Sequence, residues 1–89
     1  MKIAVCEDNE VLAKNYAEIA GYILSDVGVE STCDIFLSIS EILTSDVEYD
    51  LLLLDCELPD GSGIEAAKKL KQAHNDLCII IITAHEQYV

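Results

Sequence analysis

Four aliphatic segments, each halted by acidic or turn-forming residues, set the rhythm of the chain. Ile3-Ala4-Val5-Cys6 stops at Glu7-Asp8-Asn9 and reads as a buried strand running into a polar loop. From Glu10 to about Ser25 the spacing of Leu12, Tyr16, Ile19 and Ile23 predicts a first helix, with Asp8 or Asn9 as its N-cap. Val29 to Phe36 alternates after Gly28 and carries β-branched residues, so a second strand is expected there. Glu30, Thr32 and Asp34 interrupt it, which suits a sheet edge. Ser38-Ile39-Ser40-Glu41 is a capping box before Ile42 and Leu43 and predicts a short second helix.

Leu51 to Leu54 is an unbroken apolar run ending at Asp55, as in a strand covered on both faces, and a stretch of turn formers follows up to Gly63. After Gly63, Ile64, Ala67 and Leu70 form one side of a third helix, with Lys68, Lys69 and Lys71 on its other faces. Leu77 to Thr83 reads as a fourth buried strand, and residues 84–89 as a loop entering another helix. The order βαβαβαβ plus a stub predicts an α/β fold, a doubly wound parallel sheet with right-handed crossovers. In such sheets functional groups gather beyond the carboxyl ends of the strands. Those ends carry Glu7-Asp8, Asp55-Cys56-Glu57 and Thr83-Ala84-His85.

Composition narrows the function. The chain has 89 residues, enough for one domain, and a domain that small buries only about 60–65% of its unfolded surface. A net charge of −12 disfavours direct contact with nucleic acid or with an anionic membrane surface. The apolar runs are too short for a membrane span, and the start lacks a signal-peptide pattern, so a cytoplasmic protein is expected. Four cysteines stand singly, which fits buried free thiols in a reducing compartment better than a zinc site with His74 or His85.

The acidic residues then acquire a chemical reading. If the first and third strands are neighbours, Asp8 and Asp55 meet although 47 positions separate them. Two carboxylates about 4 Å apart repel by ~4 kcal/mol at an effective dielectric of 20, and a divalent cation would offset that. Mg²⁺ takes oxygen ligands and commonly joins one or two carboxylates to a phosphate. Asp8 and Asp55 suit direct ligands, Glu7 suits a metal-bound water, and a backbone carbonyl in the Cys56–Glu57 stretch suits a further position. Asp55 is then placed to attack phosphorus as a nucleophile. Thr83 offers a hydroxyl to a phosphate oxygen and works as a switch, while the small Ala84 leaves room for the transferred group. Taken singly, Asp8 could be a helix cap, Asp55 a polar strand end and Thr83 a β-branched strand residue. Their joint placement at one sheet edge favours the chemical reading.

With these residues in view, the chain resembles the receiver domain of two-component response regulators. The motifs that carry the resemblance are IAVCEDN, LLLLDCELPDGSGIEAAKKL and IIIITAHEQY, with Pro59 four and Gly63 eight residues after Asp55 and Thr83 28 after it. The wording CEDN, LPDGSGIE and TAHEQY is most similar to receivers that precede a LytTR-type DNA-binding domain. The resemblance implies a flavodoxin-like sheet of strand order 2-1-3-4, with residues 1–89 forming a receiver domain truncated before its fifth strand. It implies Mg²⁺ held by Asp8, Asp55 and the Glu57 carbonyl beside Glu7, phosphorylation of Asp55 by a histidine kinase, and a downstream, transcriptional output domain. It also implies a lysine on the fifth strand, a role that Lys68, Lys69 and Lys71 cannot take because all three sit on the third helix. An open edge at the fourth strand is expected to be covered, either within a longer regulator or by a second chain, as in a homodimer or through strand or helix exchange.

Two other functions compete. One is a receiver-shaped dimerisation or interaction module that is not productively phosphorylated. The other is an Mg²⁺-dependent phosphatase with an aspartyl nucleophile. That class has a second Asp two residues after the nucleophile, where this chain has Glu57, so a non-enzymatic module is expected.

Overall fold

The structure is a computed structural model that describes residues 1–83. Expectations for residues 84–89, including the start of a further helix and the role given to Ala84, lie outside the described residues. Four strands, β1 (Lys2–Cys6), β2 (Thr32–Phe36), β3 (Leu51–Asp55) and β6 (Cys78–Ile82), form a wholly parallel sheet in the order β2-β1-β3-β6. This is the expected 2-1-3-4 winding of a flavodoxin-like receiver fold. Two further strands of two residues each, β4 (Glu57–Leu58) and β5 (Gly61–Ser62), pair antiparallel within the loop whose composition predicts only turns.

The central strands explain why the sheet holds. Ile3, Ala4, Val5 and Cys6 are fully buried, because β1 lies between β2 and β3 and is covered on both faces. On one face Ala4, Cys6, Leu52 and Leu54 meet Ile39 and Ile42 of α2 (Ile39–Leu43) and Ala66 and Leu70 of α3 (Gly63–Ala73). Each fully buried leucine there contributes about 1.5–3 kcal/mol. On the other face α1 (Glu10–Asp26) packs over β1 and β2 and buries Ala13.

Caps fix where the helices begin and end. Asn9 is the N-cap of α1, its side chain accepting from the Leu12 amide at 3.1 Å. At the other end Gly28 adopts a positive φ of 82°, the Gly28 amide donates to the Ser25 carbonyl and the Val29 amide to the Leu24 carbonyl. This Schellman closure engages the Val29 amide with the helix. That is why β2 starts at Thr32 and not at Val29. Ser38 caps α2 by accepting from the Glu41 amide, as the capping box predicts, but the Glu41 carboxylate accepts from the Leu37 amide, one residue before the N-cap amide that a capping box engages.

Four expectations about burial need correction. On α1, Ile19 and Ile23 are 57% and 59% exposed, because this part of the apolar stripe faces an open groove beside Leu51, Leu53, Ile80 and Ile82. For the same reason β6 is not buried, being an edge strand among the described residues with Ile80 and Ile81 both exposed. On α3 the inward face runs through Gly63, Ala66 and Leu70, and Ile64 is 52% exposed; the helix starts at Gly63 itself, with Ser62 as N-cap. Of the four free cysteines only Cys6 is buried, while Cys33 and Cys56 are half-buried and Cys78 is exposed.

Candidate functional site

Strand register builds the site. Cys6 of β1 lies level with Leu54 of β3, so the next residues, Glu7 and Asp55, emerge side by side at the carboxyl edge, and Asp8 follows. One carboxylate oxygen from each of Glu7, Asp8 and Asp55 lies within 4.8 Å of the other two. Glu7 is 3% and Asp55 9% exposed, whereas Asp8 faces solvent. The Asn9 amide donates to Glu7 Oε2 at 3.1 Å, and the Glu57 amide donates to Asp55 Oδ1 at 3.3 Å.

The electrostatics of this cluster invite a cation. Burial first, and then the neighbouring carboxyls of Asp8 and Asp55, push Glu7 up to about 7, against the lowering effect of the Asn9 amide. The donor set is wholly oxygen, which suits Mg²⁺ better than a thiolate- or imidazole-seeking metal. The nearby thiol does not join it. Cys6 is pushed up to about 12 by burial and by the charges of Asp60, Glu41, Asp55 and Glu7, and its Sγ donates to the Ser38 carbonyl at 3.3 Å.

The loop after Asp55 curls back beneath it. The Gly63 amide donates to the Cys56 carbonyl at 3.0 Å, and the Cys56 amide donates to the Ile82 carbonyl at 3.0 Å. Asp55 pairs with Ile82, so Thr83 follows level with Cys56 and lines an open cavity with Cys56, Glu57 and Ser62. The Glu57 side chain is exposed. The lysines of α3 stand apart from the acidic cluster in their contacts. Lys68 pairs with Glu65 at 3.6 Å on the solvent side, and Lys71 donates to the Leu77 carbonyl at 2.5 Å, just ahead of β6 and hence at its amino end.

One residue near the site escaped the sequence reading. Asp60, in the turn between β4 and β5, accepts from the Ile39 amide through Oδ1 and from the Ser40 amide through Oδ2, both at 3.0 Å. These two bonds hold its carboxyl below the usual carboxylate range. Asp after Pro59 is an ordinary turn residue by composition, and no local spacing links it to positions 39 and 40.

Residues 3–89 match the response regulator receiver domain family. Transcriptional regulatory protein LytR of Staphylococcus aureus (strain N315) is 33% identical over 87 residues, covering 96% of this chain and 34% of that protein. Sensory transduction protein LytR of Staphylococcus haemolyticus is 35% identical over 83 residues, covering 91% of this chain and 31% of that protein. The chain therefore spans about a third of the length of these relatives. Among solved structures, response regulator TrrA of Thermotoga maritima in complex with Mg²⁺–BeF aligns with a TM-score of 0.70 at 31% identity, covering 98% of this chain and 72% of that one. The N-terminal domain of a response regulator/sensory box/GGDEF protein from Carboxydothermus hydrogenoformans aligns with a TM-score of 0.75 at 31% identity, covering 97% and 66%.

Proposed function

This chain belongs to the response regulator receiver domain family, and on that premise we propose that it is a phosphoacceptor module of two-component signalling in which Asp55 takes up a phosphoryl group. The observation that carries this reading is the convergence of a nearly buried Asp55 with Glu7 and Asp8, one oxygen from each within 4.8 Å, at the carboxyl edge of the sheet.

An Asp55 carboxylate oxygen forms a bond to phosphorus as the bond from phosphorus to the donor's leaving atom breaks, and the leaving group departs with that electron pair. The donor is a phosphohistidine of a histidine kinase or a small acyl phosphate. Asp8, Asp55 and the Glu57 carbonyl would hold Mg²⁺, with Glu7 accepting from a bound water. Mg²⁺, when bound, neutralises the acidic cluster and the charge on the transferred oxygens. Glu57 steadies Asp55 through its amide. The Thr83 hydroxyl donates to a phosphoryl oxygen and reports its arrival, and Ala84 leaves space for it.

The output we assign is control of transcription by a further domain, a reading supported by the names of the LytR relatives, of which this chain spans about a third. Four free cysteines suit a reducing cytoplasm.

Incubation with acetyl phosphate and Mg²⁺ followed by intact-mass measurement tests the central step. One added phosphoryl group is expected on the parent protein and none on Asp55→Asn. A parent that gains no phosphoryl group would overturn the proposal in favour of a receiver-shaped interaction module.

A further inference from the structure

The ribbon of β4 and β5 contains only two residue pairs, Glu57 with Ser62 and Leu58 with Gly61. A two-stranded ribbon this short cannot hold its own shape in water, so its position is set by its anchors. At its base these include the Glu57 amide on Asp55 Oδ1 and the Gly63 amide on the Cys56 carbonyl, and Leu58 is buried in the core cluster with Ile39 and Ile42. At its tip the polar anchor is Asp60, whose two carboxylate oxygens take the Ile39 and Ser40 amides in the first turn of α2.

The anchor point is itself fixed, because Ile39 and Ile42 are buried in the core against β1 and β3. Asp60 and Ser40 are exposed, so the bond between them exchanges readily for water and contributes little to global stability, whereas the bond from the Ile39 amide is partly buried. Their effect is directional. Beside Asp60, a Cβ added to Gly61 would lie 3.3 Å from Ile39 Cδ1, so ribbon and helix meet at close range here.

We propose that Asp60 is a positioning residue, which by gripping the start of α2 holds the ribbon so that the Glu57 backbone stands correctly beside Asp55. This rests on the reading of Glu7, Asp8 and Asp55 as a Mg²⁺ and phosphoryl site and assigns its geometry to a carboxylate that never touches the metal.

Mg²⁺ titration followed by calorimetry, together with amide hydrogen exchange in metal-free buffer, tests this on the parent, Asp60→Ala, Asp60→Asn and Ser38→Ala. Groups that orient metal ligands without touching the metal typically change affinity 10- to 100-fold, and Asp60 acts one step further out. Asp60→Ala is expected to weaken Mg²⁺ binding about tenfold and to speed exchange of the Glu57 and Gly63 amides, with the protein still folded. Asp60→Asn keeps one acceptor oxygen and should fall between. Ser38→Ala removes the N-cap of the same helix while leaving the tether in place. It should lower the melting temperature and leave Mg²⁺ affinity unchanged.

Equal Mg²⁺ affinity in Asp60→Ala and the parent would overturn the positioning role while leaving the phosphoacceptor reading intact. Equal losses of affinity in Asp60→Ala and Ser38→Ala would overturn it too, by showing a general effect of a weakened α2. A parent that binds Mg²⁺ but gains no phosphoryl group, with affinity still lost in Asp60→Ala, would sink the phosphoacceptor reading and uphold the role of Asp60. A parent that binds no Mg²⁺ would overturn both.

Discussion

Gly63 stands so close to Asp55 that a Cβ added to it would overlap the Asp55 carbonyl oxygen and lie 2.9 Å from the Asp55 carbonyl carbon. The closeness follows from the loop returning under Asp55, with the Gly63 amide bonded to the Cys56 carbonyl. Backbone cannot give way as a flexible side chain can. Gly63→Ala is therefore expected to destabilise by about 1–3 kcal/mol, although alanine is favoured over glycine by about 1 kcal/mol inside a helix. Urea denaturation checks this, and a more stable variant would contradict the close approach.

The raised Glu7 carboxyl makes stability and metal binding depend on pH in opposite senses. Its folded value of about 7 lies above its ordinary value of 4.5, so between these the metal-free folded protein keeps a proton that the unfolded chain releases. The stabilisation this confers is fully present below about 4.5 and is lost as pH rises through about 7. Mg²⁺ favours the deprotonated form, so its affinity should rise with pH up to about 7 and then level off. Binding at pH 6 is expected to be up to about tenfold weaker than at pH 8. Titrations at both pH values, and thermal scans in chelator from pH 5 to 8, check the two slopes. Glu7→Gln should flatten both.

Asp55→Asn should do more than remove the phosphorylation site. Without metal, Asp55 adds to a cluster of like charge, and the amide substitute retains an oxygen for the Glu57 amide. In chelator the variant is expected to be more stable than the parent by roughly 1 kcal/mol, with the advantage shrinking or reversing as Mg²⁺ is added. Paired melting curves with and without Mg²⁺ measure this, and a variant less stable in chelator would count against repulsion within the cluster.

The cysteines should separate by reactivity. Cys78 is exposed, whereas Cys6 is fully buried with its thiol pushed up to about 12. Brief alkylation of the native protein at pH 8 should label Cys78 and spare Cys6 until the chain is unfolded. Peptide mass mapping distinguishes the two, and early labelling of Cys6 would show that the end of β1 opens readily.

Much of the architecture could be read in advance because its causes are local. The apolar runs at 3–6 and 51–54 mark β1 and β3, the Asp8-Asn9 pair and the Ser38–Glu41 capping box mark two helix starts, and acidic residues closing those strands locate the edge where Glu7, Asp8 and Asp55 meet. Local pattern failed where burial depends on what lies opposite. Ile19 and Ile23 have the spacing of a core stripe, yet α1 sits over β1 and β2 and leaves them above an open groove. Ile64 has the same spacing on α3, but the helix turns Ala66 and Leu70 to the sheet.

By itself the sequence determined the four main strands, the three helices and the acidic residues at the strand ends, because hydrophobic periodicity and strand-end chemistry are properties of neighbouring residues; the strand order follows from the resemblance to receivers, and the β4–β5 ribbon has no signal in local pattern. Tertiary structure decided three further things: that Gly63 must lack a side chain beneath Asp55, that Glu7 is buried enough to hold its proton near neutrality, and that Asp60 reaches across to α2. Each of these is a distance between groups far apart along the chain or a degree of burial, and both exist only once the strands have set their register.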